Sequence, residues 1–140
     1  MDSSREMVHV MQDKAGNAGL NNMNPLFFDL EQEDYTEGTF DCIYTQMAMH
    51  HVGDIALVVN RFYHLLNPGG WLAVADLYRE DGLFHSGSFS GHNGFDTDEL
   101  RIILDNAGFM AINVRACYVI KKIINGVVKE FPVFLMIAWK

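Results

Sequence analysis

The chain has 140 residues, 49% of them hydrophobic, 20% charged and 12% aromatic, with a formal net charge of −8. That length suits one globular domain, and the apolar fraction is enough for a packed core, which excludes wholesale disorder. Ten Lys and Arg against 18 Asp and Glu leave no basic stripe, so broad binding to nucleic acid or to anionic lipid is excluded as well.

The first ten residues, MDSSREMVHV, lack a basic start followed by an apolar stretch, so they do not read as a signal peptide. No apolar run reaches the roughly 18 residues of a membrane span. Cys42 and Cys117 lie far apart in apolar runs and form no CxxC pair, so buried free thiols are expected. A cytoplasmic protein is the plain reading.

In chain order, residues 4 to 15 carry Met7, Val8, Val10 and Met11 at the spacing of an amphipathic helix, and AGNAGL ends it. PLFFDL, residues 25 to 30, reads as a short buried strand, and EQEDYTEG as a surface loop. Residues 40 to 49, FDCIYTQMAM, favour a strand entering a loop. From Asp54 to Leu66 the apolar residues Ile55, Val58, Val59, Phe62, Leu65 and Leu66 share one helical face. Asp54 can cap that helix, and Asn67-Pro68-Gly69-Gly70 stops it. Trp71 to Ala75 is then a second buried strand, so helix, Pro-Gly-Gly and strand make the αβ connection of a doubly wound sheet.

Residues 79 to 95 hold four glycines, three serines, three aromatic rings and two histidines without any period. A loop of that length in a small domain is usually functional or mobile. Asp96 and Glu99 have capping-box spacing and open a last helix with Leu100, Ile103, Leu104 and Ala107 on its buried face. Residues 111 to 124 and 127 to 139 are rich in β-branched residues and flank Asn125-Gly126, a type I′ hairpin signal. The chain therefore reads as α/β, a mostly parallel sheet closed by an antiparallel hairpin.

Ligands of an open parallel sheet lie beyond the carboxyl ends of its strands. Four places qualify: Asp2, Asp29-Leu30, the stretch from Thr45 to His51, and Asp76 to Tyr78. An aspartate at a strand end can accept two hydrogen bonds from vicinal hydroxyls.

The segment FDCIYTQMAMHHVGDIALVVNRFYHLLNPGGWLAVADL resembles the central part of class I S-adenosylmethionine-dependent methyltransferases of the small-molecule type. DSSREM is similar to the segment after that family's second strand. FFDLEQEDYTEGTFD resembles the third strand and the lead into the fourth. GFDTDELRIILDNAGF resembles the late helix, and the terminal hairpin resembles the last two strands. The ordered set covers essentially the whole chain. It implies a truncated Rossmann-like methyltransferase sheet and S-adenosylmethionine as cofactor. Asp2 would hold the ribose hydroxyls, with Ser3 and Met7 near the nucleoside. Asp29 and the Leu30 backbone would meet the adenine edge, and Thr45 and Gln46, with Met47, would flank the methionine part. Met7 has the alternative of being core, and Gln46 that of satisfying backbone.

His50 and His51 follow the expected fourth strand, and His85 and His92 lie in the long loop. His50 or His85 suits a general base, because imidazole titrates near neutral pH. The acceptor pocket would be lined by His51, Tyr78, Phe84 and His92, with Phe89 and Phe95. No metal is expected, since adjacent residues on a strand point apart and no carboxylate stands at a helical metal-ligand spacing.

The family's first strand and glycine-rich turn have no counterpart within these residues, and no Gly-x-Gly occurs. The expectation is therefore a single domain, residues 1 to 140, incomplete at its N-terminal side. PLFFDL would lack a partner and the fourth strand would have a bare edge, which predicts a homodimer or rearranged edge pairing. The function expected is methyl transfer from S-adenosylmethionine to a small-molecule acceptor, weak or absent in this truncated chain. The alternative is a non-catalytic interaction module with a methyltransferase-like fold. A dinucleotide oxidoreductase also needs the Gly-rich turn, and the terminal hairpin fits it poorly.

Overall fold

Ser4 starts the first helix in the computed structural model, which describes every residue except Ser86 and Ser88. Helix α1 spans Arg5–Asn17, and the Ser4 hydroxyl accepts a hydrogen bond from the Met7 amide at 3.2 Å. Glu6 in its first turn and Lys14 in its last complement the helix dipole. Its buried face is narrow, since Val8 and Ala15 are buried but Met7 is 48% exposed. The core reading of Met7 is therefore corrected.

Helix α1 belongs to the first of two units, Met1–Tyr35 and Thr36–Lys140. In that unit PLFFDL does not form the expected strand. A single parallel bridge joins Phe27 to Asp2, with the Asp2 amide donating to the Leu26 carbonyl and the Phe28 amide to the Asp2 carbonyl. The ladder stops there because the backbone of the partner segment turns into α1 from Ser4 onward. PLFFDL thus has a partner after all, and Phe27 stays partly exposed under the Arg5 guanidinium.

The second unit is built on four strands. Strand β1 is Phe40–Gln46, and Met49–His51 forms a short 3-10 turn after it. Helix α2 is Ile55–Leu65, capped by the Asp54 carboxylate on the Leu57 amide at 2.9 Å. Strand β2 runs Leu66–Leu77, starting earlier than expected because Leu66 already pairs with Phe40, before a bulge that carries Gly69 at φ 79° and rejoins the ladder where Trp71 meets Cys42. Helix α3 is Thr97–Asn106, with Asp96 accepting from the Asp98 and Glu99 amides. Strands β3, Met110–Ile124, and β4, Val127–Trp139, make the hairpin. Asn125 at φ 51° and Gly126 at φ 79° give the left-handed pair that a type I′ turn requires.

The strand order is β1-β2-β4-β3, with β1 and β2 parallel and both other pairs antiparallel. Central strands covered on both faces carry near-continuous apolar runs. Accordingly Leu72, Val74 and Leu77 of β2 and Val133, Phe134, Met136 and Ala138 of β4 are all fully buried. Pro132 is tolerated in β4 because its carbonyl, and so its nitrogen, faces the β2 side, where the ladder has ended at Leu77. Helix α2 adds Val58, Val59 and Phe62 to the core, and α3 adds Leu100 and Leu104. Cys117 lies on the outer strand β3 and is exposed, against the expectation of a buried thiol. Cys42 is half-buried, and burial pushes its thiol pKa up. Among the described residues no helix is long and apolar enough to cross a membrane.

The loop of residues 79 to 95 is closed at its base. Tyr78 bridges Phe95, and backbone bonds join Arg79 to Phe95 and Glu80 to Asn93. Its outer part is tied to the hairpin by a 2.6 Å Lys129–Asp81 ion pair and by Lys122 donating to the Phe84 carbonyl. Ser86 and Ser88, two of the serines expected in this loop, lie outside the described residues.

Candidate active site

Two parallel strands end side by side, and polar groups gather there. Strand β1 delivers Thr45 and Gln46, opposite Val74 and Ala75 of β2. Met47 follows in a left-handed conformation, φ 52°, pinned by its amide on the Ala75 carbonyl at 2.8 Å. A non-glycine residue held there is strained, and such strain concentrates at functional sites. The chain then turns through Met49, His50 and His51, while β2 ends on Asp76.

His50 and Asp76 form a fully buried pair. The His50 Nδ1–H donates to one Asp76 oxygen at 2.7 Å, and the His50 amide donates to the other at 3.2 Å. The Leu77 amide also donates to the first oxygen at 2.7 Å. A carboxylate can only accept, so the pair holds a proton on Nδ1 and makes Nε2 the ring nitrogen that can take or give another. Sequence reasoning placed Asp76 at a strand end but gave it no role. The signal was a lone acid closing the apolar run WLAVAD.

His51 and His85 complete the cluster. Ring centroids lie 4.2 Å apart for His50 and His51, 5.0 Å for His50 and His85, and 5.4 Å for His51 and His85. The rings of adjacent residues meet because His50 and His51 sit on a 3-10 turn, not on a strand. This corrects the argument that they must point apart. Phe89 stacks on His85 at 3.8 Å, and Phe84 stands edge-on to it at 5.0 Å. Burial, with His50 and His51 beside it, pushes the His85 pKa below its usual range.

Gly91 lets the loop close over this group. A Cβ there would lie 2.2 Å from the His50 carbonyl oxygen, which accepts the His92 amide at 2.8 Å. His92 is a fastener, since its Nε2–H also donates to the Val52 carbonyl at 3.0 Å. Tyr78 packs edge-on against Phe134, and Phe95 is buried beside it. The cluster therefore gathers His50, His51, Phe84, His85 and Phe89 from the expected set, while Tyr78, His92 and Phe95 support the loop.

The first unit holds the other predicted residues. Its parallel bridge aligns the segment bearing Asp2 with the one leading to Asp29. Asp2 Oδ1 accepts from the Ser4 amide and Asp29 Oδ1 from the Glu31 amide, each at 2.8 Å. Each half-buried carboxylate is thereby oriented by its own turn. Leu30 is half-buried, and Ser3 and Met7 are exposed.

The comparisons agree with this architecture. A family model described as a methyltransferase domain matches residues 1–114. An uncharacterized methyltransferase of Schizosaccharomyces pombe is 27% identical over 123 residues, 76% of this chain and 43% of that protein. Phosphoethanolamine N-methyltransferase 1 of Triticum aestivum is 30% identical over 87 residues, 58% of this chain and 17% of that protein. The chain thus spans less than half the length of these curated relatives. The crystal structure of an S-adenosylmethionine-dependent methyltransferase from Aquifex aeolicus superposes with a TM-score of 0.66 at 19% identity, covering 97% of this chain and 64% of that one. With the sheet order, the strand-end cluster and the family match in agreement, the chain belongs to the class I S-adenosylmethionine-dependent methyltransferases.

Proposed function

We propose that the chain takes part in methyl transfer to a small-molecule acceptor, with His50 as proton acceptor and Asp76 as its positioning carboxylate. The observation that carries this reading is the buried His50–Asp76 pair at the carboxyl ends of parallel β1 and β2. Bound S-adenosylmethionine supplies an electrophilic methyl group on a sulfonium centre. The residues suit its nucleoside end, because Asp2 stands at a bridged strand end with its carboxylate pre-oriented by Ser4, as a ribose diol requires. Asp29 and the Leu30 backbone would meet the adenine edge, while Ser3 and Met7 flank the nucleoside. Thr45 and Gln46 would line the methionine end, beside the strained Met47.

The reacting group of the acceptor must shed a proton if it is an amine, a hydroxyl or an acidic carbon. His50 Nε2 takes it, and the Asp76 carboxylate stabilises the resulting imidazolium. His85 and His51 offer polar contacts to the acceptor, and Phe84 and Phe89 keep water out and favour a partly apolar molecule. The exposed outer edge of β1, where Tyr44 is 77% exposed, is the surface for pairing with a second copy.

Transfer of label from S-adenosylmethionine to a panel of small amines, alcohols and acidic carbons tests the reading. His50→Gln should lower the rate about 10²- to 10⁴-fold, and an unchanged rate removes His50 from the mechanism. Cofactor binding without transfer to any acceptor would favour the non-catalytic module.

A further inference from the structure

We propose that His50, His51 and His85 form a site for one divalent transition-metal ion of the zinc class, oriented by Asp76. One ring nitrogen from each histidine lies within 4.8 Å of the others. Tetrahedral zinc with imidazole ligands needs nitrogen separations of about 3.3 Å, so modest rotation of two rings closes the site. The two rings that must move belong to His51 and His85. His51 is exposed, and His85 sits in the long loop beside Gly87.

The third ring is already fixed. The buried carboxylate holds the ring through His50 Nδ1, which leaves Nε2 as its candidate ligand nitrogen. Carboxylate, histidine and metal in series is how proteins commonly orient a ligating imidazole. A second, independent observation comes from His85, whose Nε2 is buried without a hydrogen-bond partner among the described residues. A nitrogen cut off from water and from protein donors is a group that still needs a partner. Three neutral imidazoles leave a fourth coordination position, and the exposed flank of His51 is where a water would enter. Neither cysteine nor a further carboxylate is in the group, which favours zinc, cobalt or nickel over calcium or magnesium.

The ion and the substrate proton are alternative occupants of His50 Nε2, so the metal site belongs to the metal-loaded chain and proton acceptance to the metal-free one. The metal site is tested by titrating Zn²⁺ into the metal-free chain by calorimetry and Co²⁺ by visible spectroscopy. One ion per chain is expected, with the intense absorption of tetrahedral Co²⁺. His51→Gln and His85→Gln should each weaken Zn²⁺ binding by about tenfold or more, and Asp76→Asn by about tenfold. His64→Gln, on the exposed face of α2, should change nothing. Circular dichroism identifies folded variants, and the exposed His51 keeps the test open if the Asp76 variant unfolds. Affinity unchanged in both His51→Gln and His85→Gln, or no ion bound at micromolar concentrations, would overturn it.

Discussion

Asp76 is the residue on which most of the site depends. Its two oxygens accept from the His50 ring, the His50 amide and the Leu77 amide, all out of water. Asp76→Ala strands those donors, and each unsatisfied buried group costs about 1–3 kcal/mol. Urea unfolding should show a loss at least that large, and a loss within error of zero would mean that water replaces the carboxylate. Gly91→Ala tests the neighbouring close approach. Its methyl group would collide with the His50 carbonyl, so the bond from the His92 amide should break and proteolysis within residues 79 to 95 should quicken. Sequence reasoning singled out His50 and His51 from their place after a strand end, and Phe84 and His85 from the long loop. It could not pair His50 with Asp76, because their 26-residue separation is bridged only by tertiary contact.

Helices and hairpin were the most legible elements, since their signals are local. Asp54 and Asp96 cap where spacing placed them, and Asn125-Gly126 forms the turn. PLFFDL misled because composition reports burial and not whether a neighbour supplies a ladder. Gly126→Ala places a Cβ at φ 79° and should cost about 1–2 kcal/mol in hairpin stability, measured by the denaturation midpoint. The Lys129–Asp81 pair gives a pH test of the loop's anchorage. The hydrogen bond from Lys129 lowers the Asp81 pKa in the folded chain. The contribution is therefore present above the unfolded value, about 3.9, and disappears as pH falls through the lower folded one. Hydrogen-exchange protection factors over residues 80 to 84, referred to the intrinsic rate at each pH, should fall below about pH 4, and Lys129→Gln should remove the part due to this pair. Identical profiles in both proteins would show that the pair anchors nothing.

For the whole molecule, the order β1-β2-β4-β3 leaves β1 as an outer strand with Tyr44 exposed. Pairing with a second copy predicts a dimer by light scattering, and Tyr44→Pro, which removes an edge donor, should shift it toward monomer. A wild-type chain that is monomeric at high concentration contradicts that pairing. The class of fold was readable because ordered motifs extend over the chain, whereas its association is a property of surfaces that sequence patterning does not rank. Calorimetric titration of the chain with S-adenosylmethionine tests most directly whether these residues hold that cofactor. Saturable binding at one site per chain, weakened about tenfold by Asp2→Ala through loss of a charge-assisted hydrogen bond, is the predicted result. No binding, or binding indifferent to Asp2→Ala, would contradict it.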